Sequence, residues 1–132
     1  MSTSANFAAT PASAGATIST ANAARDGTGT IGTVLTAGAN GSRIDALTIK
    51  ASSTTTAGMV RLFIHDGTTA RLLTEVPVVA ITPATSIPSW GASMNSNTSP
   101  CFPLTLKTGF SLRASTNNAE SFNVLPTLAG DF

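Results

Sequence analysis

The chain has 132 residues, the size of one domain, and 58 of them are Thr, Ala or Ser (22, 21 and 15). Seven Lys and Arg against six Asp and Glu leave a net charge of +1, which excludes a cationic nucleic-acid module and a charge-driven disordered chain. No run reaches the roughly eighteen apolar residues of a membrane span, and no apolar core precedes the first cation, Arg25, so nothing reads as a signal peptide.

Residues 1–14, MSTSANFAATPASA, have no periodicity and one isolated aromatic, Phe7. They read as an N-terminal arm, with Pro11 opposing regular structure. From Gly15 onward short β-like runs alternate with turn signals, which predicts one all-β domain over 15–132. A weak strand around 16–23 carries Ile18 and ends at the turn Arg25-Asp26-Gly27. Thr30–Thr36 is rich in β-branched residues, and Ala39-Asn40-Gly41-Ser42 is a turn.

In Arg43–Ala51 the residues Leu47, Ile49 and Ala51 share one face; Ile44 is out of phase, which predicts a bulge near Asp45 and Ala46. Met59–His65 and Ala70–Val76, joined by Asp66-Gly67-Thr68-Thr69, form the clearest hairpin signal in the chain. Val60, Leu62 and Ile64 face the core, while Arg61, Phe63 and His65 face outward. Pro77, Pro83 and Pro88 confine the middle to short or edge strands. Trp90 lies in a possible strand, Asn95–Pro103 is a loop, and Leu104–Lys107, Phe110–Ser115 and Ser121–Thr127 close the chain. Eight or nine strands without any 3.6-residue period predict a single antiparallel β-sandwich, jelly-roll-like.

Chemistry-bearing patterns are sparse. Gly27-Thr28-Gly29-Thr30-Ile31-Gly32 fits GxGxxG, but the following TVLTAGANGS makes no helix to meet a pyrophosphate, so no cofactor is expected. His65, the single histidine, adjoins Asp66 without a recognisable nucleophile, and no catalytic residue is assigned. One His, one Cys (Cys101) and scattered carboxylates do not supply a metal site; a single Cys also makes no internal disulfide. Arg61, Arg71 and Arg113 are expected to meet carboxylates such as Glu75 or Asp45. The triplets Asn40-Gly41-Ser42 and Asn97-Thr98-Ser99 read as turns.

Only 10% of the residues are charged, against roughly 25% in ordinary soluble domains. Such a weakly hydrated surface favours association, and Ser and Thr lose little side-chain entropy when covered. Homo-oligomerisation is therefore expected. The candidate contact residues are Phe7 in the arm, the outward set Met59, Arg61, Phe63 and His65, the hairpin tip Asp66 and Gly67, and Trp90. Phe63, flanked by Met59, is expected to add an exposed apolar patch.

The phrases SRIDALTIKA (42–51), TTTAGMVRLFIHDGT (54–68), RLLTEVPV (71–78) and SLRASTNNAESFNV (111–124) resemble a small family of tailed-bacteriophage structural proteins. The resemblance covers about residues 15–132 and brings no catalytic residues. It implies a non-enzymatic virion component, a capsid decoration or cement protein whose partner is the major capsid protein or another virion protein. Neither nucleic acid nor membrane is an expected partner. The alternatives are a collar, neck or tail/fibre-associated protein, or a carbohydrate-binding sandwich in which Trp90 and Phe102 stack on sugar.

Overall fold

A computed structural model describes residues 9–132, so the expectation for Phe7 lies outside the described residues. Ten strands follow one another along the chain: β1 (Thr10–Pro11), β2 (Ala16–Ile18), β3 (Gly32–Thr36), β4 (Ser42–Ala51) and β5 (Gly58–His65), then β6 (Ala70–Val78), β7 (Gly91–Asn95), β8 (Leu104–Leu106), β9 (Ser111–Thr116) and β10 (Phe122–Asp131). They form two antiparallel sheets. The six-stranded sheet runs β1-β10-β4-β7, with β2 also on β10 and β8 also on β4. The four-stranded sheet runs β3-β9-β5-β6. The fold is thus the expected all-β sandwich.

The strand beyond the expected eight or nine is β1. It lies inside the segment read as an arm, where Thr10 and Pro11 pair with Asp131 and Gly130, and the Ala12 N–H donates to the Ala129 carbonyl at 3.0 Å. Pro11 is tolerated because β1 lies at a sheet edge, where a missing donor costs no ladder bond. Pro77 lies in β6, another edge strand. Pro126 falls where β10 is paired only with β4, because β2 covers Phe122–Val124 and β1 begins beyond it at Gly130.

The core forms where the inward faces meet. Ile44, Leu47 and Ile49 of β4 and Phe122 and Val124 of β10 face Val60 and Leu62 of β5 and Leu112 and Ala114 of β9, all buried. Each large apolar side chain taken out of water contributes about 1.5–3 kcal/mol. The bulge expected in β4 is present: Ala46 pairs with Leu128 and Ile44 with Ala129, leaving Asp45 without a partner on β10. That extra residue resets the alternation, so Ile44 and Leu47 both point inward.

Residues 19–31 leave β2 and cross the outer face of the four-stranded sheet before entering β3. Ala21 bridges Thr116 at the end of β9, and the Asn22 N–H donates to the Thr116 carbonyl at 2.8 Å. The buried Asn22 amide folds the strap on itself, donating to the carbonyls of Thr28 and Thr30 (2.9 Å each) and accepting from the Ala24 N–H (3.0 Å). Farther along, Gly27 has φ +85° and lies so close to β6 that a Cβ would stand 2.6 Å from the Ala70 carbonyl oxygen. Gly27→Ala is therefore expected to cost about 1–3 kcal/mol, read from the urea midpoint; an unchanged midpoint would mean the strap yields there.

Candidate interaction surfaces

The period-two reading placed Arg61, Phe63 and His65 on the outer face of the four-stranded sheet, and their cross-strand partners agree. Phe63 lies beside Arg113 and Leu72, Arg61 beside Ser115 and Glu75, and His65 beside Ser111 and Ala70. Their exposure does not follow: Phe63 is 0% and Arg61 3% exposed. The expected outward patch at these two residues is corrected, because the strap touches the sheet on both sides of Phe63. On one side Arg61 Nη1 donates to the Asn22 carbonyl at 3.3 Å; on the other Gly27 rests on Ala70, the partner of His65. Met59 and His65 are half-buried.

The strap is also held by charge. Glu75 carries an ion pair to Arg25 of the strap at 3.0 Å and to the buried Arg61 at 3.3 Å. Arg61 donates further to Asn117 Oδ1 from both terminal nitrogens at 3.3 Å. Its Nε is near enough to Glu75 for attraction but makes no hydrogen bond. The Arg61–Glu75 pairing matches the expectation; Arg71 instead pairs with Asp66 at 2.7 Å, and Arg113 donates to Ser111 Oγ at 3.1 Å. Asn22 and Asn117, which organise this cluster, carry no sequence signal of that role, since an Asn between Ala21 and Ala23 or between Thr116 and Asn118 signals at most a turn.

At the hairpin tip Gly67 takes φ +96° and the Asp66 carboxylate organises the turn. Its Oδ1 accepts the N–H groups of Thr69 (2.7 Å) and Thr68 (2.9 Å), and its Oδ2 accepts from Arg71 (2.7 Å). These contacts, the Thr69 N–H foremost, hold the carboxyl well below its ordinary 3.8. A group with a depressed folded pKa stabilises the fold fully above the unfolded value and loses that contribution as pH falls through the folded one. Asp66→Asn should thus lower the urea midpoint at neutral pH, with a gap to wild type that begins to narrow below about pH 4 and closes only as pH approaches the much lower folded pKa. A gap constant with pH would contradict this. Gly67 donates its N–H to His65 Nδ1 at 3.0 Å, which ties the tip to the strand end.

None of the described residues covers the outer face of the six-stranded sheet. Across β10, β4 and β7, Leu125 pairs with Thr48 and Thr48 with Ser93; one row along, Leu128 pairs with Ala46 and Ala46 with Asn95. Leu125 is 42% and Leu128 60% exposed. The charges flanking these rows are internally compensated or tethered: Arg43 pairs with Asp45 at 2.7 Å, and Lys50 Nζ donates to the Ser89 carbonyl at 2.7 Å.

Where this face meets β7 lies an open groove of about 590 Å³, walled by Val79, Ile81 and Pro88 and floored by Thr48, Lys50, Trp90 and Gly91. Trp90 is buried, its ring T-shaped on Phe122 with centroids 5.7 Å apart. Phe102 is buried as well. The expectation of an exposed aromatic pair is corrected: both rings serve the core, as aromatic side chains in a small sandwich do. No family model, curated protein or solved structure matches the chain. Among the described residues no group of three His, Cys, Asp or Glu side chains is placed to hold a metal ion.

Proposed function

We propose that the protein is a non-enzymatic virion structural component that decorates or cements an assembled capsid shell. The observation that carries this reading is the uncovered face of the six-stranded sheet, where Leu125 and Leu128 stand exposed among neutral small side chains. Burying the part of the face around Leu125 and Leu128 removes apolar area from water, and the flanking cations already have partners, Arg43 in Asp45 and Lys50 in the Ser89 carbonyl. The strand order β2-β10-β4-β7 against β3-β9-β5-β6 is compatible with the jelly-roll-like arrangement expected from the sequence, an architecture found among viral capsid domains as well as lectins, and lends this reading support. A subunit that binds the closed shell but not its loose subunits shifts the equilibrium toward the shell by mass action.

The sugar-binding alternative loses its stacking platform with the burial of Trp90 and Phe102. Decoration predicts a stoichiometry comparable to the major shell protein in purified particles; a small fraction of it would favour a collar, neck or tail position, and absence would end the virion reading. Leu128→Lys should change stability by no more than about 0.5 kcal/mol, yet release the protein from particles in a sedimentation assay. Full retention of the variant would remove this face from the contact.

A further inference from the structure

We infer that the groove beside β7 receives the N-terminal segment of a second copy of this chain, with Phe7 seated against Val79 and Pro88 and the backbone added as a strand along β7. The Trp90 carbonyl accepts the Ala51 N–H at 2.9 Å, so alternation turns the backbone groups of Ala92 and Met94 toward β4. Those of Gly91, Ser93 and Asn95 then point to the open edge. Asn95 is satisfied by the following turn, its carbonyl accepting the Thr98 and Ser99 N–H groups at 3.1 and 2.9 Å. The N–H of Gly91, the carbonyl of Gly91 and the N–H of Ser93 point past the edge of β7, whose Gly91 and Ser93 line the groove, and no strand of the described residues lies beyond them. An extended peptide matches that spacing of donors and acceptors.

The chemistry of the hollow narrows the occupant. Val79 is 57% exposed, and the single cation, Lys50, is already bound to the Ser89 carbonyl. A neutral strand with an apolar anchor fits; a charged one would be desolvated without a partner. Residues 2–8, STSANFA, carry no charged side chain and one aromatic. The segment cannot reach the groove of its own molecule. Phe7 precedes Thr10 by three residues, a reach of about 11 Å, and Thr10 pairs with Asp131 beside Ser42. The groove lies opposite Thr48 and Lys50, about 20 Å farther along β4, and three strand spacings of about 4.8 Å across the sheet.

This deepens the proposal above by saying how copies link to one another, but its test needs no particle, so the two can fail separately. Sedimentation of the purified full-length chain should show concentration-dependent association. Phe7→Asp should weaken it at least about tenfold, and so should Ser93→Pro, which deletes the outward N–H at an edge position that tolerates proline. Val79→Asp, at an exposed wall, serves as a second groove variant should Ser93→Pro fold poorly. The deciding measurement mixes Phe7→Asp with either groove variant: one brings an intact groove and the other an intact segment, so a one-to-one pair should form that neither makes alone. A mixture no more associated than its components overturns the inference. So does a wild-type chain that stays monomeric at about millimolar concentration, or association that survives Phe7→Asp and disappears with Leu128→Lys.

Discussion

Phe63→Ala is expected to destabilise the protein by about 3–5 kcal/mol, the cost of removing a large aromatic from a site that cannot collapse around the void. The side chain is wholly buried on the outer face of the four-stranded sheet, outside the main core cluster. Strap contacts on both sides of it, at Arg61 and at Ala70, keep the cover from following the missing ring inward. Urea unfolding measures the effect directly. A surface aromatic would change stability by about 0.5 kcal/mol or less, so a loss that small would mean the strap does not close over Phe63.

The second large effect is an asymmetry within one ion cluster. Glu75→Ala is expected to cost about 3 kcal/mol, because Arg61 would be left buried with no counter-charge. Arg61→Met should cost less, about 1–2 kcal/mol, since Glu75 is 26% exposed and keeps Arg25 as a partner. The orphaned acceptors in that variant are the Asn22 carbonyl and Asn117 Oδ1. The double variant should cost less than the sum of the two, because the charge that Glu75→Ala strands is no longer present. Equal losses for the two single variants would show that the cluster acts by shape and not by charge compensation.

The strap also changes which surface is available to partners. With Arg61 and Phe63 under it, the four-stranded sheet presents the exposed Leu72, the half-buried Met59 and His65 and the Asp66–Gly67 tip. Among the described residues the six-stranded sheet has no such cover, and its exposed leucines lie where β10 is paired on one side only. The two faces thus differ: one is closed by the chain itself, while the other keeps Leu125 and Leu128 in contact with water.

Several features are legible in the sequence. Two-residue alternation in Met59–His65, the Asp66-Gly67 turn and the phase break at Ile44 each rest on local backbone chemistry, and each is where the alternation placed it. The low charge of the exterior was equally plain. The short strand at Thr10–Pro11 was not, because its pairing with β10 joins residues more than a hundred positions apart and leaves no local period.

By itself the sequence determined the strands other than β1, their inward faces, the bulge and the neutrality of the surface, because these depend on side-chain alternation, turn stereochemistry and composition. Only the tertiary structure decided what counts as outside. Alternation reports the side of a sheet on which a residue lies, whereas burial depends on whether another part of the chain crosses that side. Here residues 19–31 cross one sheet and spare the other, which conceals Phe63 and leaves Leu128 in water.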